Sequence, residues 1–254
     1  MGKYLRFGGL AILLYILFLL ATIPADFVVR QVAGQLQGVT LIGPSGTLWR
    51  GELQSVVIKN RQVSNLTINN VKWSFSFLGL FTGKTAISLE LNDESINGTA
   101  TIGRTFSGKI VGHDVYLKMP LELMNPLMRK SRVQTKGTLN TQLDNLAWNG
   151  EWLDALEGKL LVSQLNVNAS MMRINTDLGN YTIDLSLDDS QKMIAQVNGV
   201  KDKLGLAGNL SLDTQRKLSV DLTAKSPLPP EFAAAQAFLK KEGDRFKLTQ
   251  TLSL

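Results

Sequence analysis

One histidine and no cysteine limit what this chain could catalyse. His113 lies in Gly112-His113-Asp114, a neighbour pair that could in principle move a proton. Adjacent residues on a strand face opposite ways, and no Gly-x-Ser-x-Gly setting supplies a nucleophile. A metal site there would need a second nitrogen ligand, a thiolate or a tight carboxylate group, and the sequence around His113 offers none. The stretch Gly43 to Gly51 (GPSGTLWRG) has the glycine content of a phosphate-binding loop but lacks its Gly-Lys-Ser/Thr ending. The acidic groups Asp188-Asp189 and Glu90/Asp93/Glu94 fall among turn residues and read as solvated hairpin tips. The expectation is a protein that is not an enzyme, with no catalytic residue, metal site or cofactor.

The elements that would carry any function begin with the N-terminus. Phe7 to Ile23 (FGGLAILLYILFLLATI) is 17 residues without a charge, and Lys3 and Arg6 precede it. A membrane span needs about 20 mostly apolar residues, with a lower limit near 17. Positive charge on the N-terminal side places that end in the cytoplasm. The segment is read as an uncleaved anchor carried by Phe7, Leu10, Leu14, Leu17, Leu20 and Ile23. A signal peptide has a shorter apolar core and an A-x-A-like site, and Pro24 spoils that site here. The rest of the chain is then exported.

That exported part has about 225 residues, enough for one large or two small domains. With no cysteine, a disulfide scaffold is excluded and core burial alone must hold the fold. The formal charge of +6 falls to +4 once Lys3 and Arg6 are set aside. The densest basic cluster is Arg129, Lys130, Arg132 and Lys136, a solvated surface or a contact for anionic head groups or an acidic protein. No basic helix or aromatic ladder suits nucleic acid.

Asp26 to Leu36 has helical spacing and Gly38 is a plausible stop, giving a juxtamembrane helix over 26–38. From there the period changes to two: Val71/Trp73/Phe75/Phe77, Ile87/Leu89/Leu91, Val115/Leu117/Met119, Leu139/Thr141/Leu143, Ile183/Leu185/Leu187 and Leu218/Val220/Leu222 alternate with polar residues. That is the pattern of strands with one buried face. Turn signals separate them, among them Asn69-Asn70, Asn97-Gly98, Asn149-Gly150, Gly179-Asn180, Asp188-Asp189, Asn198-Gly199 and Gly208-Asn209. Pro120 to Lys130 reads as a short helix or a pair of turns. Pro230 to Glu242 reads as a helix docking Phe232, Ala235, Phe238 and Leu239 on the sheet.

The fold class is therefore mainly β: an N-terminal transmembrane helix (1–25), the juxtamembrane helix, then a curved antiparallel sheet or sandwich-like region (39–254) with a late packed helix. Gly46-Thr47-Leu48-Trp49 and Gly137-Thr138-Leu139 with Leu146-Ala147-Trp148 echo one another, which suggests two similar β-units with a sub-boundary near 120–132. Trp49, Trp73 and Trp148 read as core. Trp152 breaks the alternation and is the interface candidate, together with Arg129, Lys130 and Arg132.

In order along nearly the whole chain, the anchor, Gly46-Thr47-Leu48-Trp49-Arg50-Gly51, Val71-Lys72-Trp73-Ser74-Phe75, Val115 to Leu121, Gly137-Thr138-Leu139 to Trp148, Leu178-Gly179-Asn180-Tyr181, Gly208 to Leu212 and Pro229-Pro230 resemble the protein N family of the bacterial type II secretion system. The resemblance implies a single-pass inner-membrane protein with a periplasmic β domain. It would be an accessory structural component that contacts the secretin or inner-membrane platform components. No enzymatic residue is carried over. The competing reading is a lipid- or hydrophobe-binding periplasmic protein similar to the AsmA-like group.

Overall fold

Alternating residues become strands that pair almost entirely with their neighbours in sequence. The computed structural model describes residues 2–60, 63–76, 84–105, 107–169, 174–232, 236 and 239–253. Among these there are fourteen strands, all paired antiparallel within two compact units, residues 1–93 and 94–254.

The first unit holds α1 (Gly2–Ala21), α2 (Ala25–Ala33), β1 (Val39–Gly46), β2 (Arg50–Asn60), β3 (Val63–Phe75) and β4 (Lys84–Asn92). β1 to β4 pair in that order. α1 begins at Gly2, ahead of the apolar segment, and ends at Ala21 within it. Among the described residues no helix is long and apolar enough to cross a membrane; the described side chains of α1 are Phe7 and those from Gly9 onward. α2 is shorter than the predicted 26–38 and ends before Gly34. Phe77 lies outside the described residues.

Two sequence expectations are corrected in this unit. Asn69-Asn70 is not a turn: it lies within β3, with Asn70 at φ 53°. Asp93 is not a solvated tip. It is buried, and its Oδ2 accepts from the backbone N–H of Asn69 at 2.9 Å and from Asn69 Nδ2 at 2.8 Å. A carboxylate that accepts two N–H bonds satisfies groups that β3 would otherwise leave unpaired where its backbone kinks.

The second unit holds β5 (Asn97–Thr105), β6 (Ile110–Pro120), a 3₁₀ segment (Leu121–Ser131), β7 (Val133–Trp148), β8 (Leu153–Ala169), β9 (Ile174–Leu187), β10 (Met193–Val200), β11 (Ala207–Leu212), β12 (Lys217–Lys225), β13 (Lys240–Glu242) and β14 (Arg245–Ser253). The strands follow chain order except that β14 pairs with β12 and β13 folds back onto the outer edge of β14. No second sheet packs on this one among the described residues, so the sandwich-like alternative is replaced by a single layer. The predicted late helix is also corrected. Pro230 to Phe232 make a 3₁₀ turn, Lys240–Glu242 is strand, and Ala235 and Phe238 lie outside the described residues. Residues 120–132 form the end of β6, the 3₁₀ segment and the step into β7. The two echoing sequences occupy different places: Thr47 to Trp49 turn between β1 and β2, while Gly137-Thr138-Leu139 lies inside β7.

Directly opposed residues share a face, so the register sorts the second sheet into rows. One row runs Leu117–Thr141–Leu160–Ile183–Val197–Gly208–Leu222–Leu248 across eight strands. The row on the other face runs Tyr116–Gln142–Lys159–Asp184–Gln196–Asn209–Asp221–Thr249. The chain thus writes an apolar face and a polar face, as the period of two requires. The core is Leu121, Leu139, Val162, Leu178, Tyr181, Val197, Leu204, Ala224 and Leu228, with Met124, Phe232 and Leu239 packed against it. It covers one end of the apolar face. Asn125 ties the 3₁₀ segment down there by exchanging hydrogen bonds with the Thr135 backbone (Nδ2 to O 2.9 Å, N–H to Oδ1 2.7 Å). Towards the other end Leu143, Leu185, Leu187, Met193, Leu212 and Leu218 remain only half-buried.

A line of kinks crosses three strands beside this core. Gly137 (φ 133°) in β7, Gln164 (φ 54°) in β8 and Gly179 (φ 88°) in β9 coincide with breaks in register between β7 and β8 and between β8 and β9. The Gln164 N–H donates to Asn180 Oδ1 at 2.8 Å. These are bulges, and Gly179-Asn180, read as a turn signal, is one of them.

Tyr181 gives a pH prediction. Its hydroxyl donates to the Leu178 carbonyl at 3.2 Å, and its phenol pKa is raised from 10.0 by burial first and then by the charges of Asp202 and Asp177. The fold therefore favours the neutral phenol. Its stabilisation is complete below pH 10.0, the ordinary phenol value, and is lost as pH rises beyond it. Tyr181→Phe is expected to move the alkaline unfolding midpoint upward, read by far-ultraviolet circular dichroism against pH. An unmoved or lower midpoint refutes this assignment.

Candidate functional site

The most built feature outside the core is the seat that the first β-unit offers to the C-terminal end of α1. A helix end leaves four carbonyls without intrahelical donors. Here the carbonyls of Phe18, Leu19 and Leu20, and of Ile23 just beyond the helix, have donors. Thr22 donates its N–H to Phe18 O (3.1 Å) and Leu19 O (3.3 Å), and its hydroxyl to Phe18 O (2.9 Å). Trp49 Nε1 donates to Leu20 O at 2.7 Å, and the Leu48 N–H donates to Ile23 O at 2.9 Å. Pro24 and Thr47 form an isolated antiparallel bridge.

The turn Thr47-Leu48-Trp49 between β1 and β2 is shaped for this role. The Thr47 N–H donates to Arg50 O at 2.9 Å and closes it. Trp73 of β3 lies beneath, its Nε1 donating to Leu48 O at 3.0 Å. A Cβ on Gly51 would meet the Trp73 ring at 2.3 Å, which explains a residue without side chain there. Phe75 meets Trp49 edge-on at 5.5 Å and 62°, a favoured aromatic geometry. Trp49, Trp73 and Phe75 therefore clamp the exit of the helix. Sequence reading placed Trp49 at a strand start but missed that its N–H caps a helix 29 positions away. The available signal was a Trp in a tight Gly-flanked turn just after an apolar helix.

The residues expected to form an anchor lie along α1 and just beyond it. Phe7, Leu10, Leu14, Leu17 and Leu20 are all exposed, and Ile23 is half-buried beyond the helix end. The side chains of Lys3, Arg6, Arg129 and Lys130 lie outside the described residues, and Arg132 is exposed. Trp152 is half-buried. Its Nε1 donates to Gln191 O at 2.8 Å and its backbone N–H to Asn149 Oδ1 at 3.0 Å, tying the β7–β8 turn to the β9–β10 turn. Trp148 is the more exposed of that pair, at 40%. The structure brings Trp152 to a clasp between two turns and does not bring it together with the basic cluster through any described contact.

His113 is exposed on β6, opposite Thr101 and Asn145. Asp188 is a turn former, its Oδ1 accepting from the N–H groups of Ser190 (2.9 Å) and Lys192 (2.7 Å). Asp154 pairs with Lys109 at 2.6 Å and accepts from Asn149 Nδ2 at 2.7 Å. Those contacts, the Lys109 hydrogen bond foremost, hold its pKa below the usual carboxylate value. Among the described residues no group of three His, Asp or Glu side chains could hold a metal.

Comparison with known proteins adds an independent line. The family model described as Type II secretion system (T2SS), protein N matches residues 37–246. The type II secretion system protein N of Aeromonas hydrophila is 25% identical over 245 residues, covering 94% of this chain and 93% of its own length. No solved structure matches.

Proposed function

The chain belongs to the type II secretion system protein N family, and we propose that it is an accessory structural component of that system, held in the inner membrane by α1 with its β region in the periplasm. Family membership supports a secretion component. The observation that supports the anchor is the seat. A 20-residue helix, about 30 Å long at 1.5 Å per residue, leaves a β-unit that engages its last carbonyls and, among the described residues, only the last turn of its flank. Lys3 and Arg6 favour a cytoplasmic N-terminus. The β region then contacts other secretion proteins, either the secretin or inner-membrane platform components. No catalytic step is assigned.

The test uses cells of the source bacterium. The full chain is expected in the membrane pellet after alkaline carbonate washing, and periplasmic protease added to spheroplasts should digest the β region. In-cell crosslinking should recover the secretin or a platform component. Release by carbonate overturns the anchor, and recovery of neither partner overturns the structural role.

A second reading, a periplasmic binder of lipids or other hydrophobes, is supported by the half-buried residues Leu185, Leu187, Met193, Leu212 and Leu218 at the uncovered end of the apolar face. Native mass spectrometry of detergent-free protein would detect the bound molecule, and its absence removes this reading.

A further inference from the structure

We propose that Trp49 is a lipid-contacting residue, and that the elbow between α1 and the β1–β2 turn sits at the head-group level of the bilayer with an acyl chain packed in the cleft beside it. The proposal rests on the anchor reading above and adds the partner and depth of one site. Three observations carry it.

First, the described part of α1 is exposed around its whole circumference. Leu13, Leu14, Tyr15 and Ile16 cover more than one turn, and their exposures are 53%, 57%, 63% and 48%. A helix apolar all round needs apolar surroundings on every side. Among the described residues its flanks give way to protein only at the last turn, where Leu17, Leu20 and Ala21 form a cleft with Trp49. That cleft continues the lipid-facing surface of the helix, so the occupant that covers the helix also reaches the cleft.

Second, Trp49 has the chemistry of an interfacial residue. Its polar atom donates to Leu20 O, and the residue lines the apolar cleft with Leu17, Leu20 and Ala21. Tryptophan is enriched at the level where apolar chains meet head groups.

Third, polarity changes at this height. The chain carries no charge from Phe7 to Ala25, and the first charged pair is Asp26–Arg30 on the exposed side of α2. Between those two lies Phe27, 71% exposed and two positions on from fully buried Ala25, so it points away from the β-unit. An exposed aromatic flanked by charge is poorly matched to water and well matched to a head-group layer.

The experiment uses the full chain in phosphatidylcholine–phosphatidylglycerol vesicles, with Trp49 as sole tryptophan through Trp73→Phe, Trp148→Phe and Trp152→Phe. The lipids carry bromine either near the head or near the end of the acyl chain. Trp49 is expected to lose most of its emission to head-proximal bromine and little to chain-end bromine. In the chain with its other tryptophans intact, Trp49→Phe should remove the same quenchable component, which covers failure of the triple variant to fold. Vesicle flotation without quenching by either lipid overturns the proposal and leaves the anchor standing. Stronger quenching from chain-end bromine overturns the assigned depth. Failure to float overturns the anchor reading and the proposal with it.

Discussion

Gly208→Val is expected to destabilise the second unit by about 3–5 kcal/mol, combining overpacking with backbone strain. Gly208 sits in β11 at φ 148°, in a row where it faces Val197 and Leu222. A Cβ there would lie 2.1 Å from Asp221 O and 2.9 Å from Leu222 Cα. Both contacts are backbone, so no rotamer change relieves them and β11 must move from β12. A domain is stable by only about 5–15 kcal/mol, so the variant should lose much of its cooperative transition in urea. A midpoint within error of the wild type would show that β11 and β12 are not packed as described.

The second large effect is a contrast between two leucines. Leu139→Ala should cost about 2–5 kcal/mol, the range for a buried leucine that leaves a cavity. Leu139 is 9% exposed and lies opposite Met119 on one side and Val162 on the other. Leu161 is on the neighbouring strand, 43% exposed, and faces the other way from Val162. Leu161→Ala should stay within about 0.5 kcal/mol of wild type, as surface changes do. Urea unfolding of both variants measures the difference. Equal losses would mean that both faces of the sheet are covered, against the single-layer architecture.

Much of that architecture was legible because one face is buried. Ile183/Leu185/Leu187 and Leu218/Val220/Leu222 alternate in sequence, and each set lies on the apolar face of its strand. Turn chemistry was less legible. Asn149-Gly150 and Asp188-Asp189 do end strands, whereas Gly179-Asn180, Asn198-Gly199 and Gly208-Asn209 lie inside them. Residues that tolerate positive φ serve a hairpin and a mid-strand bulge equally well, so the sequence signal is shared by two outcomes. Lys240 and Lys241 fit the end of a helix by charge, but backbone pairing with Lys247 and Phe246 overrides that local preference. The seat at α1 was hidden for a related reason. The Trp49–Leu20 contact joins a side-chain donor to a backbone acceptor in another element, and hydropathy patterning carries no trace of such a bond.

The bulges at Gly137, Gln164 and Gly179 have a consequence for how the longest strands find their alignment. β7 and β8 run 16 and 17 residues, and sliding one along the other by two positions would keep every apolar residue on its own side. Facial patterning alone therefore leaves several alignments nearly equivalent. The kinks act as keys: after such a slide, the irregular stretch at Gly137 would lie against regular ladder in β8, and between β8 and β9 the Gln164–Asn180 hydrogen bond fixes the alignment in the same way. The row of bulges thus selects one alignment from a repeating set and guards the longest hairpin of the chain against mispairing.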